Sequence, residues 1–93
     1  MLAPDTIPLS CKEVVSRVEP EGVLLFQVRT DEMFFVSQGA FSLFLLCNGS
    51  RTVEEIQGLL AHYQPELATQ AGQEQVEQFL ESLAKRRLVE LWR

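Results

Sequence analysis

The spacing of apolar positions changes period once along this chain, and the change divides it. Before residue 37 the apolar residues sit in extended, short-period patterns. Val14, Val15 and Val18 favour an extended segment over residues 11–18, and Pro20, Glu21 and Gly22 turn the chain. Residues 23–29 predict a strand with Leu24, Phe26 and Val28 on one face and Val23, Leu25 and Gln27 on the other. Thr30, Asp31 and Glu32 read as a turn. Met33, Phe34, Phe35 and Val36 then predict a second strand, rich in aromatic and branched side chains, that pairs with the first as a hairpin.

From Ser37 the period becomes helical. Ser37 is placed as an N-cap, Ala40, Leu43, Phe44 and Cys47 follow at helical spacing, and Asn48-Gly49 supplies a stop. Thr52-Val53-Glu54-Glu55 has the form of a capping box, in which Thr52 and Glu55 each satisfy the other's free amide. It opens a second helix with Val53, Ile56, Leu59, Leu60 and Tyr63 as its apolar stripe, ended near Pro65. Residues 64–71 read as a polar loop. A third helix is expected from about Gln73 to about Arg86, with Val76, Phe79, Leu80 and Leu83 in register. Residues 88–92 form a short apolar tail suited to a final strand or turn. Strands first and helices after argue for an α+β fold, with a small three-stranded antiparallel sheet followed by three helices stacked on it. Three helices and a small sheet are also the plan of a winged helix-turn-helix. Ninety-three residues make one domain, and residues 1–9 are expected to be a loosely ordered lead-in.

Composition narrows the function classes. Hydrophobic content of 46% and charged content of 23% suit a globular domain rather than a disordered chain. A formal net charge of -5 disfavours a nucleic-acid partner. The basic cluster Lys85, Arg86 and Arg87 is read as cations offsetting the carbonyl end of the third helix. The longest apolar stretches, residues 23–26 and 43–47, are too short to span a bilayer, and residues 1–9 do not look like a secretory signal. No membrane association is expected. Cys11 and Cys47 lack metal-ligand spacing, and His62 is the single histidine, so no metal site is expected. Reduced thiols in a cytoplasmic protein are the expectation.

Catalysis needs convergent polar groups with tuned pKa values, and none is visible. There is no glycine-rich phosphate loop: Gly39, Gly49 and Gly58 are scattered. His62 and Tyr63 stand without partners, and Cys47 lies on the apolar face of the first helix. The reading is a non-enzyme with no cofactor.

The ordered set of residues then supports a resemblance. Val36-Ser37-Gln38-Gly39-Ala40-Phe41-Ser42-Leu43-Phe44, Asn48-Gly49 and Arg51-Thr52-Val53-Glu54-Glu55-Ile56 are similar to the signature of PqqD-like proteins. Glu21-Gly22-x-Leu24-Leu25 fits the turn into a strand of that family. Gln75-Val76-Glu77-Gln78-Phe79-Leu80-Glu81-Ser82-Leu83, followed by Leu88-Val89, resembles its last helix and exit. Residues 14–89 are covered. The chain departs from the family pattern in four places: Ser37 stands for a frequent Asn, Leu43-Phe44 for Ile-Trp, Gln75 for Asp, and Arg87 for a frequent Gly at the helix exit.

The resemblance implies a recognition element for ribosomally made, modified peptides. Such a winged-helix-like domain binds the leader of a precursor peptide as an added strand and presents it to a modifying enzyme. That enzyme is expected to be a radical S-adenosylmethionine enzyme, or alternatively a leader peptidase of lasso-peptide type. The implied site is the edge made by Met33, Phe34, Phe35 and Val36, with the third helix as its wall. On that helix Gln75, Gln78 and Ser82 flank a core stripe of Val76, Phe79, Leu80 and Leu83, and the face that meets the peptide is left open. An edge without Pro or internal charge suits strand addition. One of Phe34 and Phe35 should point outward and meet the ligand. Arg29, Arg51 and Lys85 are candidates to pair with acidic leader residues. The competing readings are a winged-helix DNA binder and a structural subunit that dimerises through the edge strand or the apolar tail.

Overall fold

The computed structural model describes residues 2–92. Five strands and three helices appear in the order β1 (Ile7–Ser10), β2 (Val14–Glu19), β3 (Gly22–Gln27), β4 (Glu32–Val36), α1 (Gln38–Leu46), α2 (Val53–Tyr63), α3 (Gln70–Lys85) and β5 (Val89–Trp92). A single 3₁₀ turn, Pro65–Ala68, links α2 to α3. The α+β class and the three-stranded antiparallel sheet are as the sequence predicts. β2, β3 and β4 form a meander in which Leu25 faces Ser16 on one side and Phe34 on the other. The face of β3 turned to the helices is Val23, Leu25 and Gln27, all buried. β3 ends at Gln27 rather than continuing through residue 29. The chain turns there through Asp31, whose positive φ of 59° is a conformation Asp tolerates better than most residues.

The helices supply the rest of one core. Leu43, Phe44 and Cys47 come from α1, Val53 and Ile56 from α2, and Val76, Leu80 and Leu83 from α3. The caps hold as read. Ser37 accepts from the Ala40 N–H at 3.1 Å. Thr52 Oγ1 accepts from the Glu55 N–H at 3.1 Å, while Glu55 Oε1 accepts from the Thr52 N–H at 2.9 Å. That last bond, first among its causes, holds the Glu55 carboxyl below the usual carboxylate range.

Three expectations need correction. Of the expected loose lead-in, Met1 lies outside the described residues and the stretch 4–9 is pinned: β1 pairs antiparallel with β5, from Ile7 opposite Trp92 to Ser10 opposite Val89. Upstream, the Pro4 and Thr6 carbonyls accept from the Glu54 and Val53 N–H groups, which have no partner within α2. Helix α3 begins at Gln70, inside the segment read as a loop, because Thr69 caps it by accepting from the Gly72 N–H at 3.1 Å. Gly72 is buried against the linking turn, and a Cβ there would stand 2.5 Å from Leu67 Cα. On α2 the predicted stripe is only half used: Val53 and Ile56 are buried, whereas Leu59 and Tyr63 are exposed.

The exit of α3 shows what Arg87 does in place of glycine. The Arg87 N–H donates to the Ala84 carbonyl and the Leu88 N–H to the Leu83 carbonyl, at 3.0 and 2.9 Å. These are the paired bonds of a Schellman motif, which needs a left-handed residue between them. Arg87 adopts it, with φ of 60°, at a cost of roughly 1 kcal/mol relative to glycine. Its carbonyl then accepts from buried Gln27 Nε2 at 2.5 Å, which ties the end of α3 to the end of β3.

Candidate functional site

Among the described residues β4 pairs with β3 alone, so one side of its backbone is open. Alternation sends Phe34 and Val36 toward the helices and Met33 and Phe35 outward. Val36 is buried and Phe34 packs against the core, while Met33 and Phe35 are 68% and 52% exposed. The outward aromatic is therefore Phe35. Its ring lies over Gly22: a Cβ there would stand 2.7 Å from Phe35 Cζ and closer still to the Val36 carbonyl oxygen. Glycine at 22 is what lets β4 and the Phe35 ring sit this close to the β2–β3 turn. Val15 and Met33 flank Phe26 on the same outer face, so the apolar surface continues across the sheet.

Helix α3 runs antiparallel to β4. At its carboxyl end the Arg86 guanidinium lies over the Phe34 ring, 3.4 Å from the centroid. Toward its amino end, Gln75, Val76 and Phe79 share an open recess of about 410 Å³ with Ser37, Gly39, Ala40, Leu43, Leu60, Gln64 and Leu67. Ser37 directly follows β4. A second, shallow depression on α3 is formed by Gln78, Glu81, Ser82, Lys85 and Arg86.

The eleven expected site residues thus divide. Leu80 and Leu83 are wholly buried, and Val76 nearly so; they seat the helix and offer little or no surface. Gln75 and Gln78 are exposed, and Phe79 and Ser82 are half-buried. With Arg86 they mark the available face. Of the expected cations, Lys85 borders this face. Arg29 lies 4.0 Å from Glu13 beside Cys11, and Arg51 sits between α1 and α2. Sequence reasoning passed over Arg86 as a helix-end charge. Its seven-residue spacing from Phe79, on a helix whose core stripe was already known, was the available signal.

The cysteines have no nucleophilic setting. Burial pushes the Cys47 thiol up to about 12, and Cys47 Sγ–H donates to the Leu43 carbonyl at 3.4 Å. Cys11 is also raised, by burial first and then by Glu90 and Glu13. At neutral pH both are thiols rather than the reactive thiolate. Among the described residues no cluster of three His, Cys, Asp or Glu side chains is placed to hold a metal, and no helix is long and apolar enough to cross a membrane.

The comparisons bear on this groove. Residues 22–89 match the family model described as Coenzyme PQQ synthesis protein D (PqqD). The chain belongs to the PqqD family. No curated protein and no solved structure matches it significantly. The family match begins at Gly22, the glycine under Phe35, and runs through β4 and the whole of α3. It therefore contains both walls of the groove, while β1, β2 and most of β5 lie outside it. Membership in the PqqD family supports a peptide-binding chaperone role of the kind that belongs to coenzyme PQQ synthesis.

Proposed function

We propose that this PqqD-family chain binds the leader region of a ribosomally made precursor peptide and presents it to a modifying enzyme, without catalysing a reaction itself. The peptide adds as a strand to the open side of β4, with the exposed face of α3 as the second wall. The observation that carries this reading is the bare edge at Met33–Val36 beside a helix that still has an unfilled recess. Strand addition gives affinity through the backbone and selectivity through flanking pockets, and both elements are present. The expected modifying enzyme is a radical S-adenosylmethionine enzyme in the cytoplasm, with a lasso-type leader peptidase as the second expectation.

A DNA-binding reading fits this surface poorly. The chain carries a formal net charge of -5, and helix α3 carries Glu74, Glu77 and Glu81 against Lys85 within its length. Acidic side chains on that helix repel phosphates. A homodimer through the β4 edge would compete with the peptide for the same backbone groups.

The test is a fluorescence titration of labelled leader peptide, taken from the short reading frame beside a modifying-enzyme gene. Saturable binding is expected. Methylating alternate backbone nitrogens of the peptide should abolish it, since these donors form the ladder. Unchanged binding by the methylated peptide would rule out strand addition.

A further inference from the structure

We infer that the groove selects peptides carrying an acidic side chain and a large apolar side chain four residues apart, the acid meeting Arg86 and the apolar group filling the recess beside Ser37. This rests on the strand-addition reading and adds to it the chemistry of the occupant.

The acidic position follows from how Arg86 is held. Phe34 occupies one flat face of its guanidinium at 3.4 Å. Stacking leaves the N–H donors, which lie in the plane, free at the rim, and a planar fork of donors matches a carboxylate. Ion pairs between described residues join Arg17 to Glu19 and Arg29 to Glu13, so neither Arg86 nor neighbouring Lys85 is neutralised by a described carboxylate. An arginine fixed by a ring, with a lysine beside it, is a preorganised carboxylate site next to an open strand edge. The Phe34 ring also removes much of the entropy cost of ordering the arginine on binding.

The apolar position follows from the other end of the groove. The recess beside Ser37 is walled by Ala40, Leu43, Leu60, Leu67, Val76 and Phe79, and its open volume of about 410 Å³ exceeds the space a leucine or phenylalanine side chain fills. Polar groups sit at its rim, in Gln64 and Gln75. An apolar side chain placed there gains by leaving water, and a charged one loses.

The spacing follows from geometry. The middle of the stretch 75–79 lies about nine helical residues from Arg86, or ~13 Å along α3. An added strand covers that distance in about four residues at ~3.3 Å each. Side chains facing α3 recur every second residue, so an even separation puts both anchors on the helix side. A separation of three or five turns one of them away.

The experiment is selection of displayed random twelve-residue peptides on the intact chain, followed by anisotropy titration of synthetic winners. Winners are expected to carry Asp or Glu and a large apolar residue four positions apart. Replacing the acid by its amide should weaken binding about threefold to tenfold, the range for one charge-assisted contact at a partly exposed site. Moving the apolar residue by one position should weaken it about tenfold or more. Arg86→Gln should abolish the preference for acid over amide, and Arg86→Glu should turn it toward lysine; Arg86 is exposed, so both variants are expected to fold. Winners without an acidic position, or an acid preference that survives Arg86→Gln, would overturn this inference while leaving strand addition intact, provided backbone methylation still blocks them. Winners indifferent to methylation, or no winners at all, would overturn both.

Discussion

The two open edges of the meander share a sheet but differ in chemistry. The β2 edge carries Ser16, Arg17 and Glu19, and the Arg17 guanidinium donates to Glu19 Oε1 at 2.6 and 2.9 Å. Charge on an edge discourages pairing with another chain. After Glu32 the β4 edge has no charge: Met33, Phe34, Phe35 and Val36 follow in a row. It also has a neighbour that β2 lacks, since α3 presents Arg86 at one end and an apolar recess at the other. On the proposed reading, the guarded β2 edge stays unpaired and the bare β4 edge beside α3 receives the peptide.

The strongest way to break this contrast is to block one edge at a time. Phe35→Pro should reduce peptide affinity at least about a hundredfold, because proline removes a donor and disrupts the strand. Ser16→Pro, on the guarded edge, should leave affinity within about twofold, and circular dichroism would confirm that both variants fold. A smaller effect is expected at the seat of β4. Gly22→Ala forces a methyl group against the Val36 carbonyl and the Phe35 ring, and should cost about 2 kcal/mol in urea denaturation. It should weaken peptide binding as well, since Phe35 must move.

Much of this comparison was legible from the residues. Ser37, Thr52 and Glu55 announced their helices because a cap is a local device, satisfied within three residues. The strands of the meander were legible for a similar reason, since β3 and β4 are joined by a tight turn at Asp31. The β1–β5 ribbon was not legible, because Ile7 meets Trp92 across nearly the whole chain and no local pattern records such a pairing. The start of α3 was missed because Thr69 follows a proline-led turn that looks like loop. The working face of α3 could not be assigned from periodicity, which marks Val76, Leu80 and Leu83 as core but does not say which flank borders β4. Arg86 supplied that answer only through its contact with Phe34.

Two smaller predictions sharpen the contrast. Arg87→Gly relieves a left-handed arginine and should stabilise the fold by about 0.5–1 kcal/mol, read as a raised urea midpoint, with no loss of peptide affinity. If affinity falls instead, the arginine takes part in the groove. Acid should fray α2 before the groove. The folded-state pKa of Glu55 is depressed, so its stabilisation is present above the ordinary carboxylate range and is lost as pH falls through the lowered value. Glu55→Gln should remove that dependence while keeping the cap, as followed by helical ellipticity against pH.

The most direct measurement is amide hydrogen exchange, with and without saturating peptide, resolved to β2 and β4. Strand addition predicts that amides of Glu32–Val36 slow on binding while those of Val14–Glu19 are unchanged. Protection on β2 instead, or on α1 and α2 with none on β4, would contradict the account.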